Sequence, residues 1–204
     1  MTAQLERACK MGINPIEISG NWDKGYVLDQ HVLKSVPIGE NVYGRMEFDT
    51  IRTELGELLF LFKYRNKADC LEKIVELIKP FLDAWEDLNE VDIVLPVPPT
   101  KPRAYQPATE IARSIAEHLG VSFIDQILEK TSSEQAKDAP GTAETVKASI
   151  KATEKATREH TILLVEDLYG TGNTIRECVA ALKDDPKLTK IFVLAMTKKK
   201  GTTI

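Results

Sequence analysis

The chain has 204 residues, of which 43% are hydrophobic and 28% are charged, and this composition is typical of a globular domain with or without an appendage. Its net charge of -4 at pH 7 argues against nucleic acid or an anionic membrane surface as the main partner. The three cysteines are widely spaced and form no C-x-x-C pair, which excludes a zinc site built from cysteines. Because the sequence shows neither a signal peptide nor about 20 consecutive apolar residues, we expect a cytoplasmic protein.

The first predicted elements are a turn-rich appendage, two helices and a buried strand. Residues 1–49 carry five glycines and two prolines, which predicts an irregular or antiparallel appendage with a short strand at 25–29. Residues 50–64 and 68–88 are predicted to be helical, because leucine and isoleucine recur there at helical spacing. The nearly continuous apolar run at 91–97 predicts a strand that is buried on both faces.

The second half of the chain continues the alternation of helices and strands. A helix is expected to end near Leu119, strands are expected at 121–124, 161–165 and 190–196, and a helix is expected at 173–184. This order predicts an α/β domain over residues 50–204, with an open, mostly parallel sheet flanked by helices. Residues 131–159 contain few large aliphatic side chains, so they are predicted to be a mobile loop or a solvated helix rather than part of the core.

The segment at 162–174, ILLVEDLYGTGNT, carries the clearest functional pattern. Its aliphatic strand places Glu166 and Asp167 at a carboxyl strand end, which is where ligands bind in open parallel sheets. The glycine-containing loop at 170–174 then leads directly into a helix, whose N-terminal amides favour an anion such as a phosphate. Two carboxylates beside a phosphate cradle suit a sugar, because its vicinal hydroxyls can donate hydrogen bonds to them. The alternative is a strand, turn and helix with two solvated acids.

This segment resembles the signature of type I phosphoribosyltransferases, which bind 5-phosphoribosyl-1-pyrophosphate (PRPP). The resemblance implies that Glu166 and Asp167 hold the ribose 2′- and 3′-hydroxyls and that residues 170–174 bind the 5′-phosphate. It also implies Mg²⁺ bound through PRPP, with no metal ligand from the protein. The residues that it assigns to PRPP binding are Glu166, Asp167, Leu168, Tyr169, Gly170, Thr171, Gly172, Asn173 and Thr174.

Three further segments are similar to the ComF-like branch of that family: 92–113 (DIVLPVPPTKPRAYQPATEIAR), 128–135 (LEKTSSEQ) and 62–66 (FKYRN). The likeness covers about residues 50–200 and identifies residues 131–159 as a flexible hood that would close over PRPP. Two features depart from the branch. The N-terminal four-cysteine zinc ribbon is absent, and an Arg-Gly-Phe-Asn run is replaced by Arg103-Ala104-Tyr105-Gln106.

The loop that follows the predicted strand at 91–97 is rich in proline and carries Lys101 and Arg103. The resembling enzymes bind pyrophosphate with the loop at this place, so Lys101 and Arg103 are the predicted catalytic residues. Their cations would stabilise charge on a departing pyrophosphate. The alternative is a solvated turn in which the prolines merely end the strand.

The function that this resemblance implies is transfer of a phosphoribosyl group from PRPP to an unidentified nitrogenous acceptor, with release of pyrophosphate. Two alternatives stay open at the level of the sequence. One is a PRPP or nucleotide sensor without turnover, and the other is a ComF-like accessory protein in DNA uptake. The sequence also allows a homodimer.

Overall fold

The structure is a computed structural model that describes residues 12–99, 105–130, 150–199 and 201. Its strands are β1 (Ile16–Glu17), β2 (Lys24–Gln30), β3 (Val32–Glu40), β4 (Met46–Arg52), β5 (Ile93–Pro96), β6 (Ser122–Phe123), β7 (Leu128–Lys130), β8 (Ile150–Ala152), β9 (His160–Tyr169) and β10 (Leu188–Lys198). Its α-helices are α1 (Glu54–Arg65), α2 (Asp69–Ala84), α3 (Pro107–Leu119) and α4 (Asn173–Lys183), and a short 3₁₀-helix spans Glu86–Glu90.

A six-stranded sheet in the order β1-β2-β10-β9-β5-β6 forms the centre of the molecule. Within the described part of the chain, β1 pairs antiparallel with β2, and the remaining neighbours in this sheet are parallel. Helices α1, α2 and α3 pack on one face of the sheet and α4 packs on the other. The predicted fold class, an open and mostly parallel sheet flanked by helices, is therefore confirmed.

Strand β9 separates two hydrophobic clusters because its side chains alternate between the two faces of the sheet. Leu163 and Val165 belong to the cluster formed with α1, α2 and α3, and both are fully buried. Ile162 and Leu164 belong to the cluster formed with α4 and the small β7–β8 ladder. The alternation continues to Glu166 and Asp167, whereas Tyr169 at the end of β9 packs with the second cluster.

Local sequence signals set the ends of the helices that flank the site. Thr53 caps α1, since its hydroxyl accepts a hydrogen bond from the amide of Gly56 at 3.0 Å. Pro107 occupies the first turn of α3, where its missing amide hydrogen costs nothing, and Gly120 ends that helix in the left-handed conformation. In the described ranges, no helix combines the length and apolar character that crossing a membrane requires.

The N-terminal part of the chain differs from the expected appendage. Strand β2 lies in the central sheet and pairs in parallel with β10, the last strand of the chain. Its residues from Gly25 to Asp29 are buried, because both faces of the sheet are covered at this strand. Strands β3 and β4 form a separate antiparallel hairpin whose side chains are mostly exposed, Ile38 and Phe48 among them. The helix expected at 50–64 begins only at Glu54, because Thr50 and Ile51 pair with β3.

The segment expected as a hood also contains regular structure at one end. Residues 150–152 form β8, which pairs antiparallel with β7. Ile150 is buried against the α4 side of the sheet, which explains why one of the few large aliphatic residues of this segment is not solvated. Residues 131–149 lie outside the described residues, so the hood stays a prediction.

Candidate functional site

A cleft of about 360 Å³ opens at the carboxyl edge of the sheet above β5 and β9. The chain continues from β5 through α3 to β6 on one side, and from β9 through α4 to β10 on the other. Such a reversal of direction between neighbouring parallel strands is a topological switch point, where ligands bind in open α/β sheets. The cleft is lined by Lys63, Tyr64, Val97, Pro98, Pro99, Gln106, Pro107, Ala108, Thr109, Glu166, Asp167, Leu168, Thr174 and Lys199.

Strand β9 extends further than expected, to Tyr169 rather than Val165. The extension follows from its two neighbours, which have different lengths. On one side β5 ends at Pro96, which is opposite Val165, whereas on the other side β10 pairs with β9 as far as Tyr169. Glu166 and Asp167 therefore lie beyond the last residue of β9 that pairs with β5, and their side chains reach the cleft.

The two carboxylates lie on opposite faces of the sheet, because they are consecutive residues of one strand. Asp167 continues the face of Leu163 and Val165, where its Oδ2 accepts a hydrogen bond from Lys63 Nζ at 2.5 Å. Glu166 continues the face of Ile162 and Leu164, above α4. Both acids line the cleft, so a ligand between β5 and β9 could contact one from each side.

Glu166 is partly buried, and this burial raises the pKa of its carboxyl group to about 8. The neighbouring charge of Asp167 raises the pKa further, while the cations of Lys63, Lys199 and Lys130 oppose the shift. At pH 7 the carboxyl group is therefore mostly protonated. In that state it can both donate a hydrogen bond and accept one, as a sugar hydroxyl can.

The loop that follows β9 contains two glycines, which allow its backbone to approach a ligand closely. Gly172 has φ +77, in the left-handed region, and a Cβ placed there would lie 2.6 Å from the hydroxyl oxygen of Tyr169. A side chain at Gly172 is therefore excluded on two counts. Gly170 has neither constraint, because the nearest atom to a Cβ there is Lys199 Nζ at 3.9 Å.

Helix α4 begins at Asn173, and its first turn contains no acidic residue. Its N-terminal end therefore presents backbone amides without a competing carboxylate on that turn, which suits an anion. Thr174 in this turn lines the cleft with its hydroxyl-bearing side chain.

The predicted PRPP-binding residues separate into two groups in the structure. Glu166, Asp167, Leu168 and Thr174 line the cleft, and the residues between Leu168 and Thr174 form the end of β9 and the loop beside it. Tyr169 is buried in the cluster on the α4 side, with only 2% of its surface exposed. Its side chain supports the loop from below instead of facing the cleft.

Three contacts that brace the loop could not be found from local patterns. Arg176 Nη1 donates a hydrogen bond to the carbonyl oxygen of Thr171 at 2.8 Å, which ties the first turn of α4 back to the loop. Asn21, from the N-terminal part of the chain, donates to the carbonyl oxygen of Arg176 at 3.0 Å, and the Arg176 guanidinium lies 5.9 Å from the Trp22 ring. The expected appendage thus contributes to the support of the site.

The predicted catalytic residues Lys101 and Arg103 lie outside the described residues. Residues 100–104 are not described, and Pro99 before them and Gln106, the second residue after them, both line the cleft. Among the described residues, the cations of the cleft lining are Lys63 and Lys199. Neither was predicted to be a site residue from the sequence, although Lys63 belongs to the FKYRN segment.

Comparison with known proteins finds no matching family model and no matching curated protein. Similar solved structures include a purine phosphoribosyltransferase from Pyrococcus horikoshii, which is 13% identical over 65% of this chain and 77% of its own, with a TM-score of 0.42. An adenine phosphoribosyltransferase is 14% identical over 81% and 85%, with a TM-score of 0.43. An orotate phosphoribosyltransferase from Aeropyrum pernix is 13% identical over 84% and 77%, with a TM-score of 0.38. At such values the function has to be inferred from the cleft itself.

Proposed function

We propose that this protein binds PRPP in the cleft and transfers its phosphoribosyl group to a nitrogenous acceptor, with release of pyrophosphate. The observation that carries the proposal is the meeting of two acids and the first turn of α4 in one cleft at the switch point, with the glycine loop between them. The loop and the start of α4 would bind the 5′-phosphate. Glu166 and Asp167 would then accept hydrogen bonds from the ribose hydroxyls.

The loop and the two acids would contact different parts of the ligand, the phosphate and the ribose. Together they therefore indicate a sugar phosphate more specifically than either contact alone. A phosphate at the start of α4 gains from the amides and the helix dipole. A ribose beside the two carboxyl groups gains a charge-assisted hydrogen bond to Asp167, worth about 1.5–3 kcal/mol, and a neutral hydrogen bond with Glu166. The described cleft, at about 360 Å³, lies within the usual size range of small-molecule sites.

Mg²⁺ bound through PRPP is part of the proposal, and the residues of the cleft fit such an ion. Mg²⁺ prefers oxygen ligands and keeps several of its ligands from phosphates and water. The carboxyl groups of the described lining, Glu166 and Asp167, would hold the ribose and need not ligate the ion directly. When bound, the ion would offset negative charge on the pyrophosphate.

In the chemical step the C1–O bond of the ribose to pyrophosphate breaks, and a bond from C1 to the acceptor nitrogen forms. The chain's contribution is to hold the ribose between the acids and to present cations to the leaving group. Lys101 and Arg103 are the proposed residues for the second role. No residue has to form a covalent intermediate.

Calorimetric titration with PRPP and Mg²⁺, followed by a pyrophosphate-release screen over nitrogenous bases, tests this function. We expect PRPP binding in the first experiment and turnover with at least one base in the second. Binding without turnover for any base would favour a PRPP sensor. The absence of PRPP binding by the folded protein would disprove the proposal.

A further inference from the structure

Helix α1 contributes a cation to the cleft, and this cation is already engaged. Lys63 Nζ lies 2.5 Å from Asp167 Oδ2, and the two side chains are 16% and 18% exposed. They are separated by 104 residues in the chain, so the pair exists only because α1 packs over the end of β9. At this degree of burial, removing one member leaves the other charge poorly solvated.

The ion pair uses one oxygen of the carboxylate and leaves the other available. Oδ2 of Asp167 accepts from Lys63, and among the described residues Oδ1 has no hydrogen-bond partner. Asp167 and Lys63 both line the cleft. A carboxylate that is held by one oxygen has a fixed orientation, so the direction of its second oxygen is fixed as well.

Lys63 is carried by a well-anchored helix. Thr53 caps its first turn, and Leu55, Leu59 and Phe62 bury it against the sheet with at most 3% of each side chain exposed. Asp167 is equally fixed, because its neighbour Leu168 pairs with Thr197 of β10. The pair therefore joins two rigid elements, as the positioning of a binding group requires.

We infer that Lys63 is a positioning residue for the proposed reaction: it orients the Asp167 carboxylate so that Oδ1 accepts a hydrogen bond from a ribose hydroxyl. This inference rests on the proposed function, since it assigns PRPP to the cleft. It excludes the simpler role of Lys63 as a direct contact of the pyrophosphate group. Lys199 also lines the cleft, but among the described residues the ion pair of Asp167 is formed with Lys63.

A comparison of two ligands distinguishes orientation of Asp167 from direct contact with the pyrophosphate. Ribose 5-phosphate has the ribose hydroxyls of PRPP but lacks its pyrophosphate. Lys63→Met keeps the length of the side chain and removes its charge, and Lys63→Arg keeps the charge. The matched control is Lys73→Met, an exposed lysine whose partner is Asp69 in the same helix at 3.0 Å. Each variant is titrated calorimetrically with PRPP and Mg²⁺ and with ribose 5-phosphate.

We expect Lys63→Met to weaken binding of both ligands by the same factor, about tenfold or more, as for loss of a charged hydrogen bond. Lys63→Arg should recover most of the affinity, and Lys73→Met should match the wild type. A loss confined to PRPP would identify Lys63 as a pyrophosphate contact and would overturn the inference. So would wild-type affinity of Lys63→Met for both ligands.

A double-mutant cycle provides the second measurement. If Lys63 acts through Asp167, adding Lys63→Met to Asp167→Asn should change the affinity for ribose 5-phosphate by less than about twofold. Fully additive losses would contradict the inference. The double variant carries no unpaired charge, so it keeps the test decisive if Lys63→Met alone does not fold. If the wild-type protein bound neither ligand, the proposed function would be disproved. If the wild-type protein bound both ligands but the losses were additive, only the role of Lys63 would be disproved.

Discussion

Glu166 and Asp167 are neighbours in the sequence, yet their surroundings differ. Asp167 faces α1 and forms an ion pair with Lys63. Glu166 faces α4, where burial raises the pKa of its carboxyl group to about 8. One acid is engaged by a cation, and the other is mostly protonated at pH 7 because burial outweighs the opposing charges of Lys63, Lys199 and Lys130.

The difference teaches that a pair of acids in a motif need not act as a pair. Consecutive residues of a strand point to opposite faces, so each samples the packing of a different set of helices. For the proposed ligand, Asp167 would be the charged acceptor and Glu166 a neutral carboxyl group that exchanges hydrogen bonds with a hydroxyl. The predictions that follow test this division of roles and its structural support.

The largest effect is expected for Asp167→Asn. The substitution removes the charge that strengthens the hydrogen bond to ribose and leaves Lys63 without its partner. We expect PRPP affinity to fall by about 1.4–3 kcal/mol, roughly ten- to over a hundredfold, while the protein stays folded. Calorimetric titration measures the affinity, and circular dichroism verifies the fold. Unchanged affinity would end the assignment of Asp167 to ribose.

The loop after both acids offers a matched pair of glycine substitutions. Gly172→Ala should destabilise the protein by about 1–3 kcal/mol, because alanine at φ +77 is strained and its Cβ would meet the Tyr169 hydroxyl. Gly170→Ala, with open space around its Cβ, should stay within about 0.5 kcal/mol of the wild type. Chemical denaturation measures both, and equal stabilities of the two variants would contradict the geometry of the loop.

Glu166 should also make stability depend on pH in a direction that is unusual for an acid. Its pKa is higher in the folded protein than in the unfolded chain, so the folded state binds more protons between about pH 4.5 and 8. Stability from this group is therefore complete below about pH 4.5 and is lost as the pH rises through 8, by at most about 1.4 kcal/mol per pH unit.

Glu166→Gln removes this titration, so the stability difference between variant and wild type should grow in favour of the variant from pH 5 to 9. Denaturation at several pH values measures the difference. Parallel stability curves for the two proteins would show that Glu166 does not titrate in this range.

The smallest effect is expected for the PRPP affinity of Glu166→Gln at pH 7. An amide can donate and accept a hydrogen bond as a protonated carboxyl group can, so Glu166→Gln should change PRPP affinity by less than about threefold. The contrast with Asp167→Asn, measured by the same titration, is the direct test of the comparison. A loss as large as that of Asp167→Asn would mean that both acids act as carboxylates.

Much of the fold was predicted because its signals are local. The apolar runs that became β5, β9 and β10 and the periodic leucines of α1 and α2 identify these elements without long-range information. The acids and the glycine loop were found for the same reason, since strand, acids, loop and helix follow one another within a few residues. The start of α1 and the end of β9 differ from the expectation, because residues 50–52 pair with β3 and β10 pairs with β9 as far as Tyr169.

The sequence by itself determined the class of fold, the position of the two acids and the glycine loop that follows them. Tertiary structure decided which surroundings each acid has. It brought Lys63 to Asp167 across 104 residues, and it placed β2 beside β10 so that Asn21 and Trp22 support the loop through Arg176. Hydrophobic periodicity reports which face of an element is buried but not which element covers it. The electrostatics of the cleft depend on which element covers each face, because the cation that pairs with Asp167 comes from helix α1.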